Sequence, residues 1–279
     1  MLTRSRLYAG VKYLTYSLLI VNVYLFLAEE LNALQHTFMD GFGAGELVQI
    51  FSTTIDTAAW VFLLLLFELE TSVLEDQRIR GWVRHGLHGA RILCYIAIVY
   101  AFTGYCSVMM ALYDVSPLAG ALPCERLDET WSVLVTLDHY TPLNAANCAS
   151  LGSAALQIGG FSVLASPEVL QSARWLAWTD VINAGAWILV VVILEVEVRL
   201  QLRRDLSDRI MRTTQVFKSG IYAILFMAAA YWGVKGSFLD FWDASLWLFA
   251  FIFIELNVFD WQQETRGETP MHRSNAVAR

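Results

Sequence analysis

The sequence predicts an all-α integral membrane protein with six transmembrane helices, arranged as three repeated helical hairpins around a pseudo-threefold axis. Composition, the lengths of the apolar segments and a motif that occurs three times predict this fold. Of the 279 residues, 57% are hydrophobic and 16% are charged, whereas soluble domains are about 45–50% apolar and about 25% charged. The excess of apolar residues favours a single membrane domain over a water-soluble one.

Six segments are long and apolar enough to cross a hydrocarbon core of ~30 Å, which takes about 20 helical residues. We expect these spans at about 9–30, 50–71, 90–112, 175–198, 216–236 and 241–261. The three hairpins then cover about 9–71, 90–198 and 216–261, with an outer-loop insertion at 113–173 and a flexible cytoplasmic tail at 262–279. Inside the insertion, residues 151–165 form an apolar stretch that is short for a seventh span, so we expect it to be re-entrant or interfacial.

The distribution of basic residues predicts the orientation, because Lys and Arg accumulate on the cytoplasmic side of a membrane. With six spans, only Arg126, Arg174 and Lys235 of the 19 Lys and Arg residues fall on the opposite side. A seventh span would place the basic segment 199–218 opposite the basic segment 78–91. The sequence therefore predicts a bacterial-type inner (plasma) membrane protein with both termini in the cytoplasm.

The four cysteines divide into two pairs. Cys94 and Cys106 lie in the third span, whereas Cys124 and Cys148 lie in the insertion. An oxidising exterior would permit a disulfide between the latter two. The alternative, two unpaired thiols, stays open from the sequence alone.

The returning spans share the motif [DN]-x3-W-x7-E-x-[EN]. Its positions are Asp56, Trp60, Glu68 and Glu70 in the second span, Asn183, Trp187, Glu195 and Glu197 in the fourth, and Asp243, Trp247, Glu255 and Asn257 in the sixth. Four polar or aromatic positions at one spacing, in three spans of the same orientation, indicate an internal repeat.

The entering spans carry a second repeated pattern, in which a base is followed four residues later by tyrosine. The pairs are Lys12 with Tyr16, Arg91 with Tyr95, and Lys218 with Tyr222. Residues four apart lie on the same face of a helix. The repeat unit is therefore a hairpin that starts with this pair and ends with the acidic motif.

The bases and the motif acids should form a charge layer at the inner membrane boundary. A charged side chain inside a span costs about 2.5–3.5 kcal/mol on insertion scales and faces protein or water. We expect Lys12, Arg91 and Lys218 to pair with Glu68, Glu195 and Glu255. These pairs would join the hairpins, although acids that coordinate a cation or relay protons are the alternative reading.

The last motif position points to nearly the opposite side of the helix from the motif Glu two residues before it. Glu70, Glu197 and Asn257 follow Asp56, Asn183 and Asp243 by fourteen residues, close to four helical turns, so each pair shares one stripe. Facing the pseudo-threefold axis, this stripe would favour cations. These six residues are our candidates for an ion path, and snorkelling at the cytoplasmic interface is the alternative.

Other function classes lack sequence support. The net charge is −7 and the bases form no stripe, which argues against nucleic-acid binding. The sequence contains no nucleophile elbow, P-loop, dinucleotide fingerprint or HExxH motif, so we expect no enzyme activity, no cofactor and no metal site. We expect a small cation or proton channel or transporter that uses membrane-embedded carboxylates. The alternative is a non-catalytic scaffold or accessory subunit, and the expected partners are the lipid bilayer and a membrane protein or a second copy.

Overall fold

Long helices account for most of the protein. The structure, a computed structural model, describes residues 2–37, 43, 46–70, 81–118, 122–127, 131–152, 154–159, 161–202 and 208–251. The α-helices are α1 (Leu2–Thr37), α2 (Leu47–Ile50), α3 (Ser52–Glu68), α4 (Trp82–Ala111), α5 (Cys148–Leu151), α6 (Pro167–Leu202), α7 (Asp208–Lys235) and α8, which is described over 238–251.

Four of the described helices are long and apolar enough to cross a membrane. They are Ala9–Thr37, Trp82–Ala111, Pro167–Glu197 and Thr213–Lys235, in helices α1, α4, α6 and α7. This is consistent with a membrane protein. Helix α3 has 17 residues, and α8 is described over only part of its predicted span.

Local sequence explains where two of the helices begin. Ser166 accepts a hydrogen bond from the Val169 backbone N–H through its hydroxyl (3.3 Å), and Pro167 occupies the first helical position, where its missing N–H has no effect. Helix α6 therefore starts earlier than the expected position near 175. At α8, Ser237 and Asp240 cap each other reciprocally, because each backbone N–H donates to the other side chain.

The helices pack side by side. Helix α3 packs against α1 and α4, and α6 packs against α4 and α7. Helix α8 shares one apolar cluster with α1 and α3, around Leu19 and Leu246, and another with α6 and α7, around Val190 and Phe251. Asn22 of α1 also donates a hydrogen bond to Asp243 of α8 (2.7 Å). The last described helix is therefore in contact with the first.

One close approach depends on glycine. Gly104 of α4 faces the start of the α2–α3 segment, and a methyl group at this position would overlap the carbonyl oxygen of Val48 and lie 2.8 Å from Ser52 Cβ. Only a residue without Cβ allows this backbone contact.

The insertion between α4 and α6 folds as a small sheet. Five three-residue strands follow the order β1-β4-β5-β2-β3, with β2 parallel to β5 and the other pairs antiparallel. The strands are β1 (Val115–Pro117), β2 (Ser132–Leu134), β3 (Tyr140–Pro142), β4 (Leu156–Ile158) and β5 (Val163–Ala165). A disulfide joins Cys124 to Cys148 with Cα atoms 5.1 Å apart, so the predicted bridge is present. We call this unit the sheet insertion.

For residues 151–165 the expected re-entrant segment is wrong, and the interfacial position stays a prediction. Strands β4 and β5 lie in this stretch, and protein covers most of its described apolar side chains. Ile158, Val163 and Ala165 pack against Leu170 and Ala173 near the start of α6. The stretch is apolar because it supplies one side of an interface with a helix, and its backbone polar groups pair within the sheet.

Candidate functional site

The three motif tryptophans meet. Ring centroids are 6.2 Å apart for Trp60 and Trp187, 6.4 Å for Trp60 and Trp247, and 6.4 Å for Trp187 and Trp247, and the interplanar angles lie between 56° and 65°. Each pair thus has nearly the same geometry. We call these three side chains the tryptophan triangle. It brings α3, α6 and α8 together at one depth.

A cavity of about 430 Å³ runs past the triangle on the same faces of these three helices. On α3 its lining includes Asp56, Trp60, Leu64 and Glu70. On α6 the equivalent repeat positions contribute Asn183, Trp187, Val191 and Glu197, and on α8 the lining includes Asp243, Trp247 and Phe251. Positions fourteen residues apart lie about 21 Å apart along a helix. The cavity therefore borders both ends of the predicted stripe, as far as the described residues extend.

Acidic side chains surround the outer part of this cavity. Seven described carboxylates line it there, and we call them the outer acids: Glu29, Glu30, Asp56, Asp138, Asp180, Asp240 and Asp243. Of the described residues that line the whole cavity, Arg91 is the one base, and it lies at the opposite end beside Glu70. The outer part thus gathers negative charge without a neighbouring base in its described lining.

Some of the outer acids have a structural partner. Asp56 accepts a hydrogen bond from the Tyr105 hydroxyl (3.3 Å), and Asp243 accepts the one from Asn22. Glu30 accepts hydrogen bonds from the Thr53 and Thr54 backbone N–H groups (2.8 and 3.2 Å). It therefore caps the first turn of α3, where the backbone N–H groups lack partners within the helix.

Asp138 reaches the outer acids from the sheet insertion. It lies in the turn between β2 and β3, and its side chain keeps exposed surface although protein surrounds it, because that surface faces the cavity. Burial raises the pKa of the Asp138 carboxyl well above its usual value. Four nearby carboxylates raise this pKa further: Asp240, Asp180, Glu29 and Glu30.

The inner charge layer exists, but its pairing differs from the prediction. Lys12 Nζ lies 2.6 Å from Glu68 Oε1, as expected, and joins α1 to α3 within the first hairpin. The other two bases bind the other acid of the motif. Arg91 pairs with Glu70, and Lys218 Nζ lies 2.9 Å from Glu197 Oε2.

These two pairs connect successive predicted hairpins rather than the two helices of one predicted hairpin. Arg91 and Glu70 are 21 residues apart in sequence, and so are Lys218 and Glu197. Glu70 and Glu197, which were expected to line a path, are therefore also partners of these bases. Glu195 lines the cavity, while Glu70 and Glu197 both line it and form ion pairs.

The remaining predicted residues have varied environments. Tyr95 lines the cavity, and the ring of Tyr222 packs against Phe251 at a centroid distance of 5.8 Å. Tyr16 is buried in the cluster shared by α1, α3 and α8. Glu255 and Asn257 lie outside the described residues.

Sequence reasoning missed a third position of the repeat on the entering helices. Phe26, Tyr105 and Trp232 each lie ten residues after the repeat tyrosine, and all three line the outer cavity. We call them the aromatic collar. The signal was present as [KR]-x3-Y-x9-[FYW], but the aromatic types differ between copies. Asp180 and Asp240 also line the cavity. Each lies three residues before the first motif position, and the sequence places both towards the outer end, as helix-start residues or an outer vestibule.

Neither a metal site nor a comparison with known proteins indicates a function for this cavity. Among the residues that the structure describes, no three His, Cys, Asp or Glu side chains are placed to hold a metal ion together. No protein-family model, curated protein or solved structure matches this chain.

Proposed function

We propose that this protein is a small cation or proton channel or transporter whose path runs through the cavity lined by α3, α6 and α8. The observation that supports this most strongly is one cavity that reaches from the outer acids, past the tryptophan triangle, to Glu70, Glu195 and Glu197. Carboxylates exposed to such a cavity attract cations and repel anions.

The proposal includes six spans arranged as three hairpins with pseudo-threefold symmetry. Three features support it. The tryptophan triangle is nearly equilateral, the two ion pairs between hairpins have the same sequence separation, and the aromatic collar takes one residue from the same position of each entering helix. At 1.5 Å per residue, the 17 residues of α3 extend about 26 Å, close to the ~30 Å hydrocarbon core.

We further propose a bacterial-type inner membrane, with both termini in the cytoplasm and the sheet insertion outside. The distribution of the 19 Lys and Arg residues supports this orientation. The Cys124–Cys148 disulfide supports an oxidising environment for the insertion.

The tryptophan triangle is the constriction of the proposed path. Its three indoles approach one another from three helices, and Trp187 is 8% exposed. An apolar constriction opposes ion passage when water leaves it, so the triangle would act as a gate between the acidic ends. At the inner end, the pairs Arg91–Glu70 and Lys218–Glu197 reduce the negative charge. Selection for cations therefore falls mainly to the outer acids.

Flux into vesicles tests the proposal. Purified full-length protein is reconstituted in liposomes, and uptake of K⁺, Na⁺ and H⁺ is followed with fluorescent indicators. The double variant Asp56→Asn, Asp243→Asn keeps side-chain size and removes two outer charges, and we expect it to lower cation uptake by about tenfold or more because local cation concentration falls. Trp187→Ala should raise uptake by widening the constriction.

A matched control separates local charge from net charge. Glu168→Gln removes one acid from the exposed start of α6, outside the cavity lining, and should leave uptake unchanged. The proposed function would be contradicted if liposomes that contain the wild-type protein took up no more cations than protein-free liposomes across a range of voltages and pH values.

The second candidate is a scaffold or accessory subunit. Three ion pairs that hold α1 to α3, α3 to α4 and α6 to α7 favour it, because such pairs fix helices without any transport. This candidate predicts no flux from the isolated protein. It also predicts loss of folded protein, rather than loss of activity, when Glu70 or Glu197 is replaced.

A further inference from the structure

The outer half of the cavity has the chemistry of a binding site for an organic cation. We propose that it binds a short aliphatic polyamine, whose ammonium groups pair with the outer acids while its methylene chain lies against the aromatic collar. This inference rests on the proposed function, because it takes the cation path as the site and names the substrate class.

The size and lining of the cavity suit a small molecule. A volume of about 430 Å³ lies in the range of about 300–1,000 Å³ that is typical of ligand sites. Phe26, Tyr105 and Trp232 reach it from three different helices, and the tryptophan triangle lies below them. Aromatic faces attract organic cations and bury their carbon chains at the same time.

The acids are distributed around the cavity instead of converging on one point. They come from α1, α3, α6, α8 and the sheet insertion. A Ca²⁺ or Mg²⁺ site brings its oxygen ligands to within about 2.0–2.6 Å of one centre. Carboxylates spread over several walls instead fit a ligand with several separated positive charges.

Three groups that line the cavity have no hydrogen-bond or ion-pair partner within the described chain and are available to a ligand. Thr57 lines the cavity with 5% of its surface exposed, and its hydroxyl makes no hydrogen bond within the described chain. The described residues also supply no hydrogen bond or ion pair to Glu29 or Asp138, whose described electrostatic neighbours are other carboxylates. The Thr57 hydroxyl belongs to a residue that lines the cavity, and acids enclosed without a base are costly alone. An ammonium ligand with N–H donors would satisfy all three.

Equilibrium binding tests the proposal on the full-length protein in a maltoside detergent without added lipid. The probe is spermidine, followed by calorimetry and by the change in tryptophan fluorescence at constant ionic strength. Putrescine, ethanolamine, tetramethylammonium, KCl and CaCl₂ serve as competitors. We expect saturable one-to-one binding of spermidine. Putrescine should compete with spermidine, whereas the other four compounds should compete at least about tenfold less well, because they lack separated ammonium groups.

Variants locate the site. Asp180→Asn should weaken spermidine binding about tenfold or more, as expected for the loss of one enclosed charge pair. Trp232→Leu should weaken binding and Trp232→Phe should largely retain it, because phenylalanine keeps an aromatic face. Glu168→Gln and Trp82→Leu are the controls, since Glu168 is exposed and Trp82 is 92% exposed at the other end of the helices. Both should bind spermidine as the wild type does.

Thermal unfolding guards against misfolded variants. Asp180 is repelled by Asp240 and interacts favourably with the Trp232 side chain. Asp180→Asn removes the repulsion and keeps a hydrogen-bond acceptor, so the variant should unfold at about the temperature of the wild type. Weaker binding together with retained stability supports a ligand contact. Binding that is equally weak in the control Glu168→Gln would contradict the proposed site, because it would show attraction by net charge only.

The outcomes separate this inference from the proposed function. Flux of inorganic cations in liposomes without spermidine binding would overturn the polyamine site and leave the transport proposal standing. Ethanolamine that competes as strongly as spermidine would also overturn it, because the site would then recognise a lipid headgroup amine. Spermidine binding that is lost in Asp180→Asn supports the site, even where no flux is found.

Discussion

Burial separates the three ion pairs of the inner layer. The Lys12 and Glu68 side chains are 9% and 7% exposed, whereas Lys218 and Glu197 are 15% and 19% exposed and Arg91 and Glu70 about a quarter exposed. The Tyr13 hydroxyl also donates to Glu68 Oε1 (3.3 Å), while Oε2 is buried without a hydrogen bond in the described chain. Lys12–Glu68 is therefore the pair whose disruption should cost the most.

Glu68→Gln should lower the yield of folded protein and its thermal stability, because it leaves the buried Lys12 ammonium without its counter-charge. Breaking a buried pair in this way costs about 3–5 kcal/mol. Size-exclusion profiles after a temperature series measure the loss. Glu197→Gln is the comparison and should cost less, since its pair is more hydrated. Equal losses in the two variants would contradict the ranking by burial.

Asp138 should make stability depend on pH. Its pKa in the folded protein is raised, so the folded state binds the proton more tightly than the unfolded chain. The ionised group therefore destabilises the fold at pH values above its ordinary pKa, and the penalty disappears as pH falls below that value. The charges that face it are Asp240, Asp180, Glu29 and Glu30.

Asp138→Asn should accordingly raise the unfolding temperature at pH 8 and leave it nearly unchanged at about pH 4, near the ordinary Asp pKa. Thermal unfolding of wild type and variant at both pH values measures this. His139→Gln, an exposed neighbour, serves as the control for effects on the turn. A destabilised Asp138→Asn variant at pH 8 would show that the carboxylate makes a favourable contact instead.

At the scale of elements, the sheet insertion is small and depends on two supports. Its strands have three residues each, and its apolar residues divide between the interface with α6 and an inner cluster of Val133, Leu143, Cys148, Leu151 and Leu164. His36 at the end of α1 also contacts it, through Ser132 (3.0 Å) and by stacking on Tyr140. A unit with so small a core gains much from a covalent link.

The double variant Cys124→Ser, Cys148→Ser should loosen the sheet insertion and leave the helices folded. A disulfide across 24 residues stabilises by about 2–4 kcal/mol. Hydrogen exchange should speed up by about a hundredfold or more in β2 and β5, with little change in α4. Cys106→Ser is the control, because it replaces a free cysteine and leaves the disulfide in place. Unchanged exchange in the strands would mean that the interface with α6 suffices.

At the scale of the whole molecule, the proposed bundle is a ring closed by contacts of α8 with α1. Arg91–Glu70 and Lys218–Glu197 support two of the three junctions between hairpins. The equivalent position at the third junction is Asn257, whose side chain is uncharged, and Lys12 pairs instead within its own hairpin. In the proposed ring, α1 and α8 are also joined nearer the outer end by the Asn22–Asp243 hydrogen bond.

The proposed orientation predicts which sites react from outside the cell. In a background of Cys94→Ala and Cys106→Ala, a membrane-impermeant maleimide should label Glu168→Cys on intact cells. It should label Trp82→Cys only after permeabilisation. Both positions are exposed, so a difference reports sidedness and not burial. The reverse pattern would invert the proposed topology.

The sequence by itself determined the apolar segments and the threefold motif, and it left Cys124 with Cys148 as the one possible disulfide within the insertion. These follow from composition, from spacing along a helix, and from the number of cysteines in one loop. Each depends on local chain properties, so no knowledge of neighbouring helices is needed. The tryptophan positions were predictable for the same reason, and the recurrence of one residue at one spacing indicated that they are equivalent.

Only the tertiary structure decided which acid each base contacts. Glu68 and Glu70 lie two residues apart at nearly the same depth, so the neighbour that packs alongside selects between them: α1 for Glu68 and α4 for Glu70. It also decided that the stretch 151–165 contains two strands, because an apolar run does not reveal whether lipid or another helix covers it. The outer acids line one cavity for the same reason, since residues from α1, α3, α6, α8 and the sheet insertion become neighbours only when the helices assemble.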